Sequence, residues 1–174
     1  KTQTQVMMNL ANPSAALRWW RLPTEGVGLA RMEFVINSAV RVHPMALAQF
    51  NRVRDTDARA EIERLTQGYA SKPDYFVDQL SRGLSRIAAF CYPNPVIVRM
   101  SDFKTNEYAE LLGGRQFEPH EENPMIGFRG ASRYGHPKYE EGFALECGAM
   151  RRVRERMGLT NVKLMVPFCR RVEE

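Results

Sequence analysis

A chain of 174 residues, 44% hydrophobic and 26% charged, is long enough to bury one globular core. Its net charge of +5 comes from basic residues interleaved with acids, as in Arg52-Val-Arg-Asp-Thr-Asp-Ala-Arg59, without the aromatic–basic alternation of a nucleic-acid groove. No apolar run reaches the ~18 residues that span a membrane, the polar start Lys1-Thr-Gln-Thr-Gln gives no sign of a signal peptide, and Cys91, Cys147 and Cys169 are too scattered for a zinc pattern or a disulfide frame. The composition thus argues against nucleic-acid and membrane partners and for a cytoplasmic protein with reduced thiols.

The pattern along the chain alternates strand and helix. Val6-Met-Met-Asn-Leu-Ala11 reads as a first strand. Asn12 caps a helix that begins with Pro13 and runs through Trp20. Gly26 to Glu33 reads as a second strand. Helical stretches follow near Pro44 to Val53, near Ala58 to Tyr69 and from Pro73 to Phe90, the last with Leu80, Leu84, Ile87 and Phe90 on one face for the core. Val96 to Met100 is a third strand. Ser101 to Arg115 is a long polar segment with paired glycines, of a length that in compact domains is usually functional. Met125-Ile-Gly-Phe-Arg129 reads as a fourth strand, Glu140 to Met157 as an amphipathic helix stopped by Gly158, and Val162 to Phe168 as a fifth strand. The expected fold is therefore α/β, with about five parallel strands and covering helices. A doubly wound sheet would be complete at this length; a (β/α)8 barrel would be little more than half built.

Two arginines stand out against this pattern. Arg31 ends the apolar run of the second strand and Arg99 that of the third. A guanidinium is costly to bury without an anion, and it binds phosphate or carboxylate through paired hydrogen bonds. Two of them at the same end of neighbouring parallel strands would make an anion pocket. Arg129 follows a further apolar patch, Asn123-Pro-Met-Ile-Gly-Phe128. Glu33 and Asp102 lie beside these arginines, either to orient them or to bridge the rim.

The segments Gly26-Val-Gly-Leu-Ala-Arg-Met-Glu-Phe34, Val96-Ile-Val-Arg-Met-Ser-Asp-Phe-Lys-Thr-Asn-Glu-Tyr108, Gly113-Gly-Arg-Gln-Phe-Glu-Pro119 and Glu122-Asn-Pro-Met-Ile-Gly-Phe-Arg-Gly-Ala-Ser-Arg-Tyr134 resemble the phosphoenolpyruvate synthases (pyruvate, water dikinases) of the PEP-utilising enzyme family. The likeness runs from Val6 to Glu174. Relatives of the pyruvate, phosphate dikinase and enzyme I types usually carry Arg-Thr-Glu where this chain has Arg31-Met-Glu33, which favours the synthase branch. The resemblance implies an incomplete TIM-type (β/α)8 barrel, with residues 1–174 as a single domain forming the N-terminal part of the PEP/pyruvate-binding barrel of a larger enzyme. It implies that Arg31, Arg99 and Arg129 bind pyruvate or phosphoenolpyruvate. The family's phosphohistidine and ATP-binding domains, its Mg2+ ligands and its proton-donating cysteine would all lie outside this segment. Cys91, Cys147, Cys169, His43, His120 and His136 are accordingly read as structural or surface residues, no catalytic residue is expected within the chain, and the segment alone is expected to be inactive. An open half-barrel would expose a sheet edge and an apolar inner face, so association into a homo-oligomer is expected. Another PEP-utilising phosphotransferase, or a non-catalytic anion-binding module, are the alternative readings.

Overall fold

The computed structural model describes residues 3–19 and 21–174, so the expected end of the first helix at Trp20 lies outside the described residues. Four short strands form one parallel sheet in the order β1 (Met8–Leu10), β2 (Val27–Arg31), β3 (Val96–Arg99), β4 (Val162–Met165). Each strand pairs with its neighbour in sequence. There is no reversal of strand order, which is the mark of a doubly wound sheet.

The crossovers are helical. Pro13–Trp19 forms α1, with Asn12 Oδ1 accepting the Ser14 amide at 2.9 Å. Met32–Val35 forms α2, which continues as a wider π turn over Ile36–Val40. Pro44–Ala48 is α3, Thr56–Leu65 is α4 and Lys72–Cys91 is α5. After β3 come α6 (Thr105–Glu110), α7 (Ala131–Tyr134) and α8 (Glu140–Arg151), the last extended by a π turn over Arg152–Arg156. Helix α5 is the hub, touching α1, α2, α3, α8 and β3. Its Leu80, Leu84 and Ile87 are fully buried, with Phe90 packed at the margin. Gly83 lets α5 approach α2: a Cβ there would sit 2.3 Å from Val35 Cγ1. Val27, Ala30, Val96, Val98 and Val162 complete the core from the sheet. No helix among the described residues is long and apolar enough to cross a membrane.

Three expectations are corrected. The proposed strand at Met125–Arg129 is not one, so the sheet has four strands. Pro124–Ile126 is a 3₁₀ turn, with Asn123 Oδ1 accepting the Met125 amide at 3.2 Å. Met125 and Ile126 are exposed, so the apolar run has no sheet to bury it. The second strand stops at Arg31, so Glu33 belongs to the first turn of α2. The polar segment after Ser101 contains α6, begun where the Glu107 carboxylate accepts the Lys104 amide at 2.7 Å. Backbone geometry also constrains Gly26, whose φ of +141° brings it against Pro95: a Cβ would lie 2.3 Å from the Pro95 carbonyl oxygen.

A charged cluster is sealed inside this frame. Arg133 makes a two-pronged contact with Glu118, whose Oε1 also meets His43 Nε2 at 2.8 Å. All three side chains are at most 1% exposed. The Met45 amide donates to His43 Nδ1 at 3.1 Å, so Nε2 carries the proton and the ring is neutral. Desolvation holds the His43 pKa below its ordinary value. The Arg133 guanidinium lies over the rings of Tyr108 and Tyr139, at 3.7 and 4.1 Å. The cluster joins three segments distant in sequence, around residues 43, 118 and 133. Glu118→Ala leaves a buried cation and a buried imidazole without their acceptor, and should destabilise the fold by about 3 to 5 kcal/mol. Urea unfolding checks this; a loss below about 1 kcal/mol would show that the cluster contributes no more than a surface pair.

Candidate functional site

Arg31 and Arg99 are direct partners in the β2–β3 register, at the C-terminal ends of both strands. They open into a cleft of about 830 Å³ that also takes in Phe34, Asp102, Lys104 and Arg129. Parallel crossovers return each chain to the same edge of the sheet, so successive strand ends accumulate side chains at one rim. The strand pattern puts Arg31 and Arg99 together and the family resemblance adds Arg129; all three line the cleft.

Their environments differ. Arg99 is held on two sides: Nη2 donates to Glu33 Oε1 at 2.7 Å, and Nη1 lies 3.4 Å from Asp102 Oδ2. Its Nε is buried without an acceptor. Arg129 is more fully engaged. Nε donates to Asp102 Oδ1 at 2.8 Å, Nη2 to the Asp102 carbonyl at 3.2 Å and Nη1 to the Met125 carbonyl at 3.0 Å. The Phe168 ring covers it at 4.5 Å. Gly130 makes this approach possible, since with φ +67° a Cβ would lie 2.5 Å from the Pro167 carbonyl oxygen. Arg31 has no carboxylate partner among the described residues. Its guanidinium rests over the Phe34 ring, 4.6 Å from the centroid, and is open to solvent.

Glu33 and Asp102 organise these cations. Glu33 Oε1 receives both Arg99 and the Asp102 amide, the latter at 2.8 Å, while Oε2 is buried without a donor. Burial pushes the Glu33 carboxyl above its ordinary range, against the pull of Arg99. Asp102 bridges Arg99 and Arg129. Arg99 and Arg129 are thus tied to the Glu33 and Asp102 carboxylates, one of them inclined to take up a proton; Arg41, Lys104, Glu61, Glu107 and Glu110 share the rest of the lining, and Arg31 keeps an open guanidinium with no carboxylate partner among the described residues. With its free planar face, such a site suits a small dianion or a carboxylate.

The two carboxylates nearest the site are both spent on arginine, and no group of three or more His, Cys, Asp or Glu among the described residues is arranged to hold a metal ion. The residues present do not fit a magnesium site. His120 and His136 are exposed, and Cys91, Cys147 and Cys169 are all free thiols. His43 is no surface residue but the buried cap of α3. Sequence reading missed Phe34 and Lys104. The apolar run of the second strand points to Arg31 at its end but carries no sign that the chain turns into a helix one residue later, which is what brings Phe34 beneath it.

Comparison with known proteins identifies the family. The family model described as PEP-utilising enzyme, PEP-binding domain, matches residues 1–174. The chain is 58% identical over 175 residues to the phosphoenolpyruvate synthase of Synechocystis sp., covering all of this chain and 21% of the relative. It is 53% identical over 174 residues to that of Neisseria meningitidis, covering all of this chain and 22% of the relative. It is 50% identical over 170 residues to that of Escherichia coli, covering 98% of this chain and 21% of the relative. The chain thus spans about a fifth of the length of these relatives. With the match running from end to end, the chain belongs to the PEP-utilising enzyme family and matches its PEP-binding domain.

Proposed function

We propose that this chain is the part of a phosphoenolpyruvate synthase that binds pyruvate and phosphoenolpyruvate, and that Arg31, Arg99 and Arg129 form its anion site. The complete enzyme would make phosphoenolpyruvate from pyruvate, ATP and water, releasing AMP and phosphate through a phosphohistidine intermediate. The observation that carries this reading is the open guanidinium of Arg31, in register with the partly satisfied Arg99. Phosphoenolpyruvate bears a phosphate and a carboxylate, and pyruvate a carboxylate alone. A phosphoryl group in transfer spreads charge over its oxygens, and cations already fixed in place stabilise that charge without reorganising. Asp102 and Glu33 do the fixing for Arg99, and Asp102 and the Met125 carbonyl do it for Arg129. Magnesium would be held by residues outside this chain.

The four-stranded parallel sheet is read as part of a TIM-type (β/α)8 barrel, in which substrates bind at the C-terminal ends of the strands. At the end of β4 and just after it, Leu164, Met165, Val166 and Phe168 are exposed. That apolar edge is suited to further barrel strands or to a second copy of the chain. The free thiols accord with a reducing, cytoplasmic setting.

Arg31 provides the cleaner test. In the complete synthase, Arg31→Ala should slow phosphoenolpyruvate formation about a hundredfold, corresponding to ~3 kcal/mol of lost charge stabilisation. Stability should change by no more than about 0.5 kcal/mol, since Arg31 is exposed and unpaired. Arg99→Ala should be as damaging to turnover and should also destabilise, because it strands the buried Glu33 carboxylate. Lysine at either position should recover little, lacking the planar fork. ATP-dependent phosphorylation of the enzyme's own histidine should survive in each variant. Steady-state kinetics and thermal melting decide it; near-normal turnover in Arg31→Ala would move the substrate site elsewhere.

The chain by itself, incubated with ATP, magnesium and pyruvate, should yield no phosphoenolpyruvate above background, and reproducible turnover by the pure chain would overturn its assignment as a binding segment alone. Light scattering on the chain should report a dimer or larger species; a cooperatively folding monomer at high concentration would show that the β4 edge is tolerated in water.

A further inference from the structure

The most deeply buried carboxylate lies behind the cleft. Glu146, on α8, is 0% exposed and has no cation in hydrogen-bond contact. Its Oε1 meets the Ser101 hydroxyl and, at 2.8 Å, the Tyr139 hydroxyl. Ser101 Oγ lies 2.6 Å from the Tyr108 hydroxyl, which in turn lies 3.1 Å from the Tyr139 hydroxyl. These four groups close a ring. Glu146 Oε2 also accepts the Ser101 amide at 3.2 Å, and the Tyr134 hydroxyl donates to the Ser101 carbonyl at 2.6 Å. Every polar group of Ser101 is thereby held.

Counting protons decides which form of Glu146 suits the ring. Three hydroxyls bring three hydrogens to four oxygen–oxygen contacts. An ionised carboxylate leaves one contact without a hydrogen and a charge buried without a counter-ion. A protonated carboxyl supplies the fourth hydrogen, fills the ring in one rotational sense and keeps Oε2 free to accept the Ser101 amide. The hydrogen-bonded ring therefore favours the neutral acid.

We propose that neutral Glu146 is a positioning residue for the anion cleft: by completing the ring it grips Ser101, and so sets Arg99, the last residue of β3 two positions before it, and Asp102, the residue after it. This rests on the cleft being the phosphoenolpyruvate site.

The surroundings single out Glu146 as the group that responds to pH. Burial pushes its carboxyl up to about 7. Burial raises Tyr108, Tyr134 and Tyr139 well above their ordinary values, so they keep their protons near neutrality. From α7, Arg133 stays charged over the Tyr108 and Tyr139 rings, held so by Glu118. His43, edge-on to both rings, is held neutral by burial. Glu33, reached through the Ser101–Asp102 turn, adds a like charge that favours the protonated form of Glu146. The sign follows. As pH rises through neutrality Glu146 loses its proton, one ring contact loses its hydrogen, the turn loosens and anion affinity falls.

The test uses the complete synthase, wild type and Glu146→Gln. Glutamine is close to isosteric and stays uncharged at every pH: its amide nitrogen can donate to Ser101 Oγ and Tyr139 while its oxygen accepts the Ser101 amide, and the one ring hydroxyl hydrogen this leaves without an acceptor is a constant offset that does not titrate. Phosphoenolpyruvate affinity is measured by calorimetry on both sides of neutrality, and the ratio of variant to wild type cancels the ligand's own phosphate titration. Below neutrality the ratio of their affinities should be constant. One pH unit above it, the wild type should be weaker by up to about tenfold, as only the protonated fraction is competent. Hydrogen exchange of residues 99–103, compared between the two proteins, should quicken in the wild type over the same range, and the infrared band of a protonated carboxyl should disappear there and be missing in the variant. Parallel affinity profiles, or exchange of residues 99–103 that never departs from the variant's, would overturn the positioning role. Absence of phosphoenolpyruvate binding in the wild type at every pH, with the exchange and infrared changes still present, would instead overturn the function assigned to the cleft and leave the grip on Ser101 standing.

Discussion

Glu33 ties together the two strand ends on which the cleft is built. Placed in the first turn of α2 by the abrupt end of β2, its Oε1 accepts both the Arg99 guanidinium and the Asp102 amide. A carboxylate buried this far costs several kcal/mol to desolvate unless it is paired. The pairing must therefore form, and it fixes the turn after β3 against the turn after β2. Asp102 is then correctly placed to hold Arg129, which comes from a segment with no strand of its own. Removing Glu33 would leave Arg99 with only its longer contact to Asp102 and the buried Asp102 amide without its acceptor.

Behind the cleft lies a second polar layer that never reaches solvent. Glu118 with Arg133 and His43, and Glu146 with Ser101 and two tyrosines, interlock through the rings of Tyr108 and Tyr139. Buried polar groups of this kind are tolerated only when nearly every donor and acceptor is matched. Here the matching falls on loops and short helices, α6 and α7 with the turns around them, which have few apolar residues with which to hold themselves in place. The outer layer offers a guanidinium to an incoming anion, and the inner layer keeps the backbone beneath it from moving. Preorganisation of this type lowers the reorganisation a charged transition state would otherwise require.

The division of labour among the arginines follows from the same balance. Arg129 is nearly saturated by its own protein, Arg99 partly so, and Arg31 not at all by carboxylate. A site in which every cation were free would repel itself in the absence of ligand; one in which every cation were paired would attract none. The gradation leaves the Arg31 guanidinium open to a ligand, where Phe34 supports it from below without neutralising it.

Much of this was legible in the amino-acid order. The apolar runs of the strands, the proline and asparagine that begin α1, and the core face of α5 are local signals, and they mark the α/β alternation and the two arginines at strand ends. Periodicity in a strand is set by neighbours along the chain, so it survives without tertiary information. What the order of residues could not decide is where an apolar patch finds burial. Met125-Ile126 has the composition of a strand, but no sheet edge reaches it, and its proline and asparagine make a 3₁₀ turn instead. Glu33 looked like a strand residue until the chain turned. His43, Glu118, Arg133 and Glu146 are each unremarkable in sequence. Their decisive pairings, His43 with Glu118, Arg133 with Glu118 and Glu146 with Ser101, span 75, 15 and 45 residues along the chain, and only the packed structure, by excluding water from all of them together, makes one residue's charge or proton the condition for another's.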